Sequence, residues 1–163
     1  MYRFIEPTNE DLARSYSETI YNWRFATYKD NFSSDAKPSY QEHEIFLRKE
    51  LSDSTIKWFF LLENDNLLAC CSLKKEAFGD NAPNELYTLG RVMVCPDNRG
   101  KGIALTLINQ SIRQLYLEDR KFVVKLEVLR TNRAAIRLYE KCGFRRVDVI
   151  GKCLIMEKKY SAE

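Results

Sequence analysis

The stretch from Glu85 to Val128 constrains the fold more than any other part of the chain. "ELYTLGRVMV" reads as a strand, stopped by Pro96. "RGKG" follows, and then Ile103, Leu105, Leu107, Ile108, Ile112, Leu115 and Tyr116 recur at helical spacing. "FVVKLEVL" is a second strand of the buried type. A strand, a helix and a strand in that order predict a parallel pair joined by a right-handed crossover.

The turn between the first strand and the helix carries two glycines, Gly100 and Gly102, flanked by Arg99 and Lys101. A helix N-terminus presents unpaired amides and about half a positive charge, so it can hold phosphate. Glycine lets a ligand oxygen approach those amides, and the two cations add charge at the rim. The turn matches neither known phosphate loop: G-x-x-x-x-G-K-[ST] is absent, and Ala104 and Leu105 follow Gly102 where G-x-G-x-x-G needs its last glycine. On these residues alone, a helix start that is merely glycine-rich and basic fits as well.

The rest of the chain reads as one mixed α/β domain over residues 1–163, a length suited to one well-packed core. "YRFI" is a strand, Thr8 an N-cap, and a helix runs on through "LARSYSETIYNWRFA". After a polar loop, Ser39 and Glu42 form a capping box that opens a second helix. Two apolar runs around Asn64, Asp65 and Asn66 predict a hairpin. Near the C-terminus, "NRAAIRLYEKC" is a helix ended by Gly143, and two strands meet about Gly151.

Composition narrows the function classes. Net charge is +3, dispersed along the chain, which argues against a nucleic-acid protein. No apolar run approaches a membrane span, and acidic residues stand where a signal peptide would carry its apolar core, so the expectation is a cytoplasmic protein. The five cysteines have no metal-ligand spacing, and no metal site is expected. Cys95 and Cys142 are expected to be buried, inert thiols, and His43 to face solvent.

A second constellation lies in "LEVLRTNRAAIRLYEKCGF". Asn132 and Tyr139, seven apart, share a helix face. Glu127 lies on the preceding strand, on the side opposite Leu126 and Val128, so carboxylate, amide and phenol are placed to converge beside one sheet edge. Taken singly, each has a commoner use: N-cap, core aromatic, solvated strand residue.

Together the two segments resemble the GNAT (GCN5-related) N-acetyltransferases. Arg99 to Ala104 fits the family's [QR]-x-x-G-x-[GA] signature. Asn132, Ala135, Tyr139, Gly143 and Phe144 fit its N-x-x-A-x-x-x-Y-x-x-x-G-F pattern, and "VMVCP" its strand ending in V-x-P. The resemblance implies a mixed, mostly antiparallel sheet of six or seven strands, flanked by about four helices and splayed at the acetyl-CoA site. It implies acetyl-CoA as cofactor, its pyrophosphate on the backbones of Arg99, Gly100, Lys101, Gly102, Ile103, Ala104 and Leu105. Its pantetheine arm would run along Val92, Met93 and Val94, with Asn132 and Tyr139 also contacting it.

The reaction implied is direct attack of a neutral amine on the thioester. Tyr139 would protonate the departing thiolate. Glu127 is the expected base, in a stretch similar to ribosomal-protein N-terminal acetyltransferases; Glu85 or a water relay are the alternatives. The first two helices and their loop would line the acceptor pocket, with Trp23, Arg24 and Tyr28 as binding candidates. The leading expectation is a small-molecule or amino-sugar acceptor, and a monomer or homodimer. A protein N-terminal or lysine acetyltransferase and a silent acyl-CoA-binding regulator remain as alternatives.

Overall fold

The computed structural model describes residues 1–26, 37–76 and 85–161. Strand β1 (Tyr2–Ile5) leads into a short helical turn, Asn9–Asp11, whose start Thr8 caps by accepting from the Asp11 amide at 3.3 Å. Leu12–Tyr16 is π-helical and passes into α1 (Ser17–Ala26). The wide turn has a packing reason. Leu12 and Ile20 are both fully buried, and eight residues is about one too many for two turns of an α-helix. One extra residue in the coil brings the two side chains back onto one face.

Helix α2 (Tyr40–Ser52) starts at the expected capping box: Glu42 N donates to Ser39 Oγ at 3.2 Å, and Ser39 N to the Glu42 carboxylate at 3.4 Å. Strands β2 (Ile56–Glu63) and β3 (Asn66–Lys75) form the expected hairpin. Its two-residue turn puts Asn64 and Asp65 at φ +50 and +64, as a right-twisted hairpin requires. Then come β4 (Glu85–Val94), a 3-10 turn at Pro96–Asn98, α3 (Ile103–Glu118), β5 (Lys121–Leu129), α4 (Arg133–Lys141), β6 (Arg145–Ile150) and β7 (Cys153–Ser161).

The seven strands form one sheet in the order β1-β2-β3-β4-β5-β7-β6. Only β4 and β5 pair in parallel, as the crossover argument requires; the other neighbours are antiparallel. Alternating side chains sort onto two faces. On one, Phe59, Leu61, Cys71, Leu126 and Val128 pack with α3 and with Ile136 and Tyr139 of α4. On the other, Trp58, Phe60, Leu62 and Cys70 pack with Leu12, Ile20 and Leu47 from the first helices.

The feature that positions the site is a gap inside the sheet. β4 and β5 pair from Glu85↔Phe122 only as far as Thr88↔Lys125. Beyond that they part, although β4 stays on β3 to Val94↔Ala69 and β5 stays on β7 to Leu129↔Cys153. The cause lies in β4. Between Cys70↔Met93 and Ser72↔Gly90 it carries one more residue than β3, and Arg91 sits there at φ +55. Such a bulge bends and twists the strand that contains it.

Candidate active site

The glycine turn stands at the open end of the gap. Gly100 and Gly102 have φ near +77 and +76, a region β-carbons disfavour, and a β-carbon at either would meet nothing within 4 Å. The space in front of both backbones is therefore clear. No side chain caps α3, and its first main-chain bond runs from Thr106 N to Gly102 O at 3.1 Å. The preceding amides are left for a ligand. Arg99 and Lys101 are exposed beside them and make no ion pair among the described residues. Open backbone, unpaired amides and two cations fit a pyrophosphate.

Below the turn, Val92 and Val94 pack toward the α3 face and Met93 toward the α1–α2 face. On the gap side these three residues have no strand partner.

Tyr139 of α4 belongs to the same apolar cluster that Val92 and Val94 pack against. It is 9% exposed and lies edge-on to Phe144, with ring centroids 6.1 Å apart. Burial, with Cys71 and Cys142 nearby, pushes its phenol above the ordinary tyrosine value, so it stays protonated at neutral pH. Helix α4 is held at both ends as the sequence predicts. Asn132 Oδ1 accepts from Ala135 N at 3.2 Å, and beyond Gly143 (φ +92) Phe144 N returns to Tyr139 O at 3.0 Å. The Asn132 side chain is thus an N-cap here.

Glu127 is exposed, on the face of β5 opposite Leu126 and Val128 and hence opposite Tyr139. The two flank the unpaired end of β5 from opposite faces, rather than meeting on one. Glu85 stands at the closed end of β4, about 23 Å of strand before Val92. There it pairs with Lys75 at 3.5 Å, and the fold does not bring it to Tyr139.

Among the acceptor candidates, Trp23 packs partly buried on the α1–α2 core. The Arg24 guanidinium stacks over Phe46 at 4.3 Å and lies 5.1 Å from the Phe25 ring centroid. Tyr28 lies outside the described residues, as does Phe32.

Two expectations need correction. His43 does not face solvent. It is 1% exposed, ringed by Tyr21, Phe25 and Tyr40, with Nδ1 3.4 Å from Arg24 Nη1. It belongs to the inward stripe of α2, four residues before buried Leu47. Cys142 is buried as expected, and burial raises its thiol to about 11, but Cys95 is only half-buried because it sits at the strand end.

One contact beside the site was not anticipated from the sequence: Arg91 of the bulge pairs with Glu50 of α2 at 2.9 Å. Glu50, four residues after Phe46 and seven after His43, continues the inward stripe, and that spacing was the available signal.

Residues 17–144 match the model of the acetyltransferase (GNAT) family. The chain belongs to that family. GNAT enzymes use acetyl-CoA. Two curated relatives are each 35% identical: a Methanocaldococcus jannaschii protein named as an uncharacterized N-acetyltransferase, over 75 residues, and the Vibrio cholerae spermidine N(1)-acetyltransferase, over 54. These matches cover 46% and 33% of this chain, and 33% and 31% of the relatives' own lengths. Acetyltransferase PseH of Campylobacter jejuni is 24% identical over 136 residues, 80% of this chain and 78% of that one. Among solved structures, the PaiA N-acetyltransferase of Thermoplasma acidophilum in complex with coenzyme A shares the fold. Its TM-score is 0.71 at 21% identity, covering 98% of this chain and 99% of that one. No helix of the described residues is long and apolar enough to cross a membrane.

Proposed function

We propose that this GNAT domain transfers an acetyl group from acetyl-CoA to the primary amine of a small molecule, over residues 1–163 as one catalytic unit. The observation that carries the reading is the unpaired stretch of β5 with Tyr139 on one face and Glu127 on the other. Acetyl-CoA supplies an activated thioester. Its pyrophosphate would lie on the amides from Arg99 to Leu105, and its arm along Val92–Val94, where an amide can face the reacting carbonyl.

A protonated amine cannot attack, and exposed Glu127, on the α1–α2 side, is the candidate to take its proton. Tyr139, buried and protonated, is the candidate to give one to the leaving sulfur from the opposite face. Proton acceptor and donor then serve opposite sides of one centre without neutralising each other. The acceptor would enter over α1 and α2, past Arg24 and Trp23. A small amine is supported by the spermidine enzyme among the relatives, and an amino sugar by the aromatic and cationic residues of the first helices.

The test is a thiol-release assay with acetyl-CoA against polyamines, amino-sugar nucleotides, free amino acids and peptide N-termini. The reading expects release with a small amine, lost about a hundredfold in Tyr139→Phe while acetyl-CoA still binds. Release only with peptides would replace the small-molecule acceptor by a protein. Binding without release from any amine would make the chain a silent acyl-CoA sensor.

A further inference from the structure

The bulge that opens β4 falls on an arginine, where glycine would hold φ +55 without strain. Such a backbone persists only where its surroundings over-determine it. The holding contacts come from α2. Arg91 Nη2 donates to Glu50 Oε1 at 2.9 Å, and the guanidinium lies over the Phe46 ring at 5.0 Å. Phe46 and Glu50 are one turn apart, so a single helix face makes both contacts.

The pair is unusual for a surface salt bridge. The Glu50 side chain is 13% exposed, and its Oε2 has no hydrogen-bond partner among the described residues. Water screens the carboxylate poorly, so its charge acts on Arg91 and also on Arg24. Arg24 of α1 stacks on the same Phe46 ring, so both acceptor-side helices meet the bulge through one aromatic side chain. Immediately after Arg91 come Val92, Met93 and Val94.

We infer that Arg91, clamped by Glu50 and Phe46, is a positioning residue that sets the aim of the Val92–Val94 amides and ties them to α1 and α2. The inference rests on the proposed function for what those amides bind. Without the clamp, the bulge is free to relax toward an ordinary β-conformation. The amides would then turn away from the gap while the two cores stay packed.

Glycine at position 91 separates the two halves of the residue, because it suits the backbone and deletes the side chain. Arg91→Gly and Glu50→Gln are each expected to bind acetyl-CoA about tenfold more weakly by calorimetry. Their double mutant is expected to be no weaker than Arg91→Gly alone, since Glu50→Gln removes only a contact that Arg91→Gly already deletes. With a turned-over amine, KM for acetyl-CoA rises by the same factor and kcat falls less than about threefold. Arg91→Lys, which keeps the charge opposite Glu50, recovers part of the loss.

Wild-type affinity in Arg91→Gly, or losses that multiply in the double mutant, would overturn the inference. A second arm needs no cofactor: hydrogen exchange of the Val92–Val94 amides in the free protein should speed up in Glu50→Gln, and unchanged exchange also overturns it. Failure of the wild type to bind acetyl-CoA would instead count against the proposed function, with the exchange arm still deciding on the clamp.

Discussion

Acid should unfold this protein partly through one histidine. His43 is 1% exposed, and burial, with Arg24 beside it, lowers its pKa from 6.5 to about 4. Arg24 donates toward Nδ1, so the ring proton sits on Nε2, which has no partner among the described residues. Protonation would set an imidazolium against a guanidinium; the Ser17 backbone and Glu44 oppose this only in part. The unfolded chain binds the proton below about pH 6.5 and the folded chain only below about pH 4. Stability is therefore full above 6.5, falls through that window and levels off beneath it. The gap corresponds to a loss of up to roughly 3 kcal/mol. For a domain of this size that is roughly 6–12 °C in melting temperature.

Carboxylates titrate in the same range, so the comparison is with His43→Phe, which keeps a ring among Tyr21, Phe25 and Tyr40 and removes the proton site. Urea unfolding from pH 7.5 to 4 should show the variant losing about 2–3 kcal/mol less than the wild type. Parallel pH curves, or a His43 proton resonance titrating near 6.5, would refute the reasoning.

Further outcomes follow from the same structure. Ser39→Ala removes one half of the α2 capping box and should cost about 1 kcal/mol by urea denaturation. Cys70, Cys71 and Cys142 are buried, with burial raising all three thiols, so a thiol reagent should label Cys95 and Cys153 in the native protein and all five cysteines in denaturant. Arg146→Ala breaks an exposed pair with Glu140 and should change stability by less than about 1 kcal/mol.

The parts of the fold legible in the sequence are those with local causes. Gly100 and Gly102 announce a backbone most residues do not hold comfortably, Ser39 and Glu42 a helix start, Asn64 and Asp65 a tight hairpin. The parallel crossover follows from element order and chain handedness. The gap was expected only by resemblance, because its cause is a left-handed arginine held by a glutamate 41 residues away. No local propensity marks Arg91 for that conformation. Glu85 stands as an alternative to Glu127 in sequence because both lie on strands of the parallel pair flanking the glycine turn's helix. Register separates them, one at the closed end and one at the open end. His43 was expected to face solvent, but its spacing to Leu47 places it on the inward stripe.

The most direct test of the central claim compares acetyl-CoA with acetyl-pantetheine, which lacks the pyrophosphate, by calorimetric titration into the wild type and Gly102→Val. Valine at φ +76 strains the turn and puts a side chain into the space a phosphate would occupy. If the amides from Arg99 to Leu105 hold the pyrophosphate, acetyl-CoA binds the wild type at least about a hundredfold more tightly than acetyl-pantetheine, and Gly102→Val removes most of that difference. Equal affinity for the two ligands in the wild type, or an undiminished preference in Gly102→Val, would contradict it.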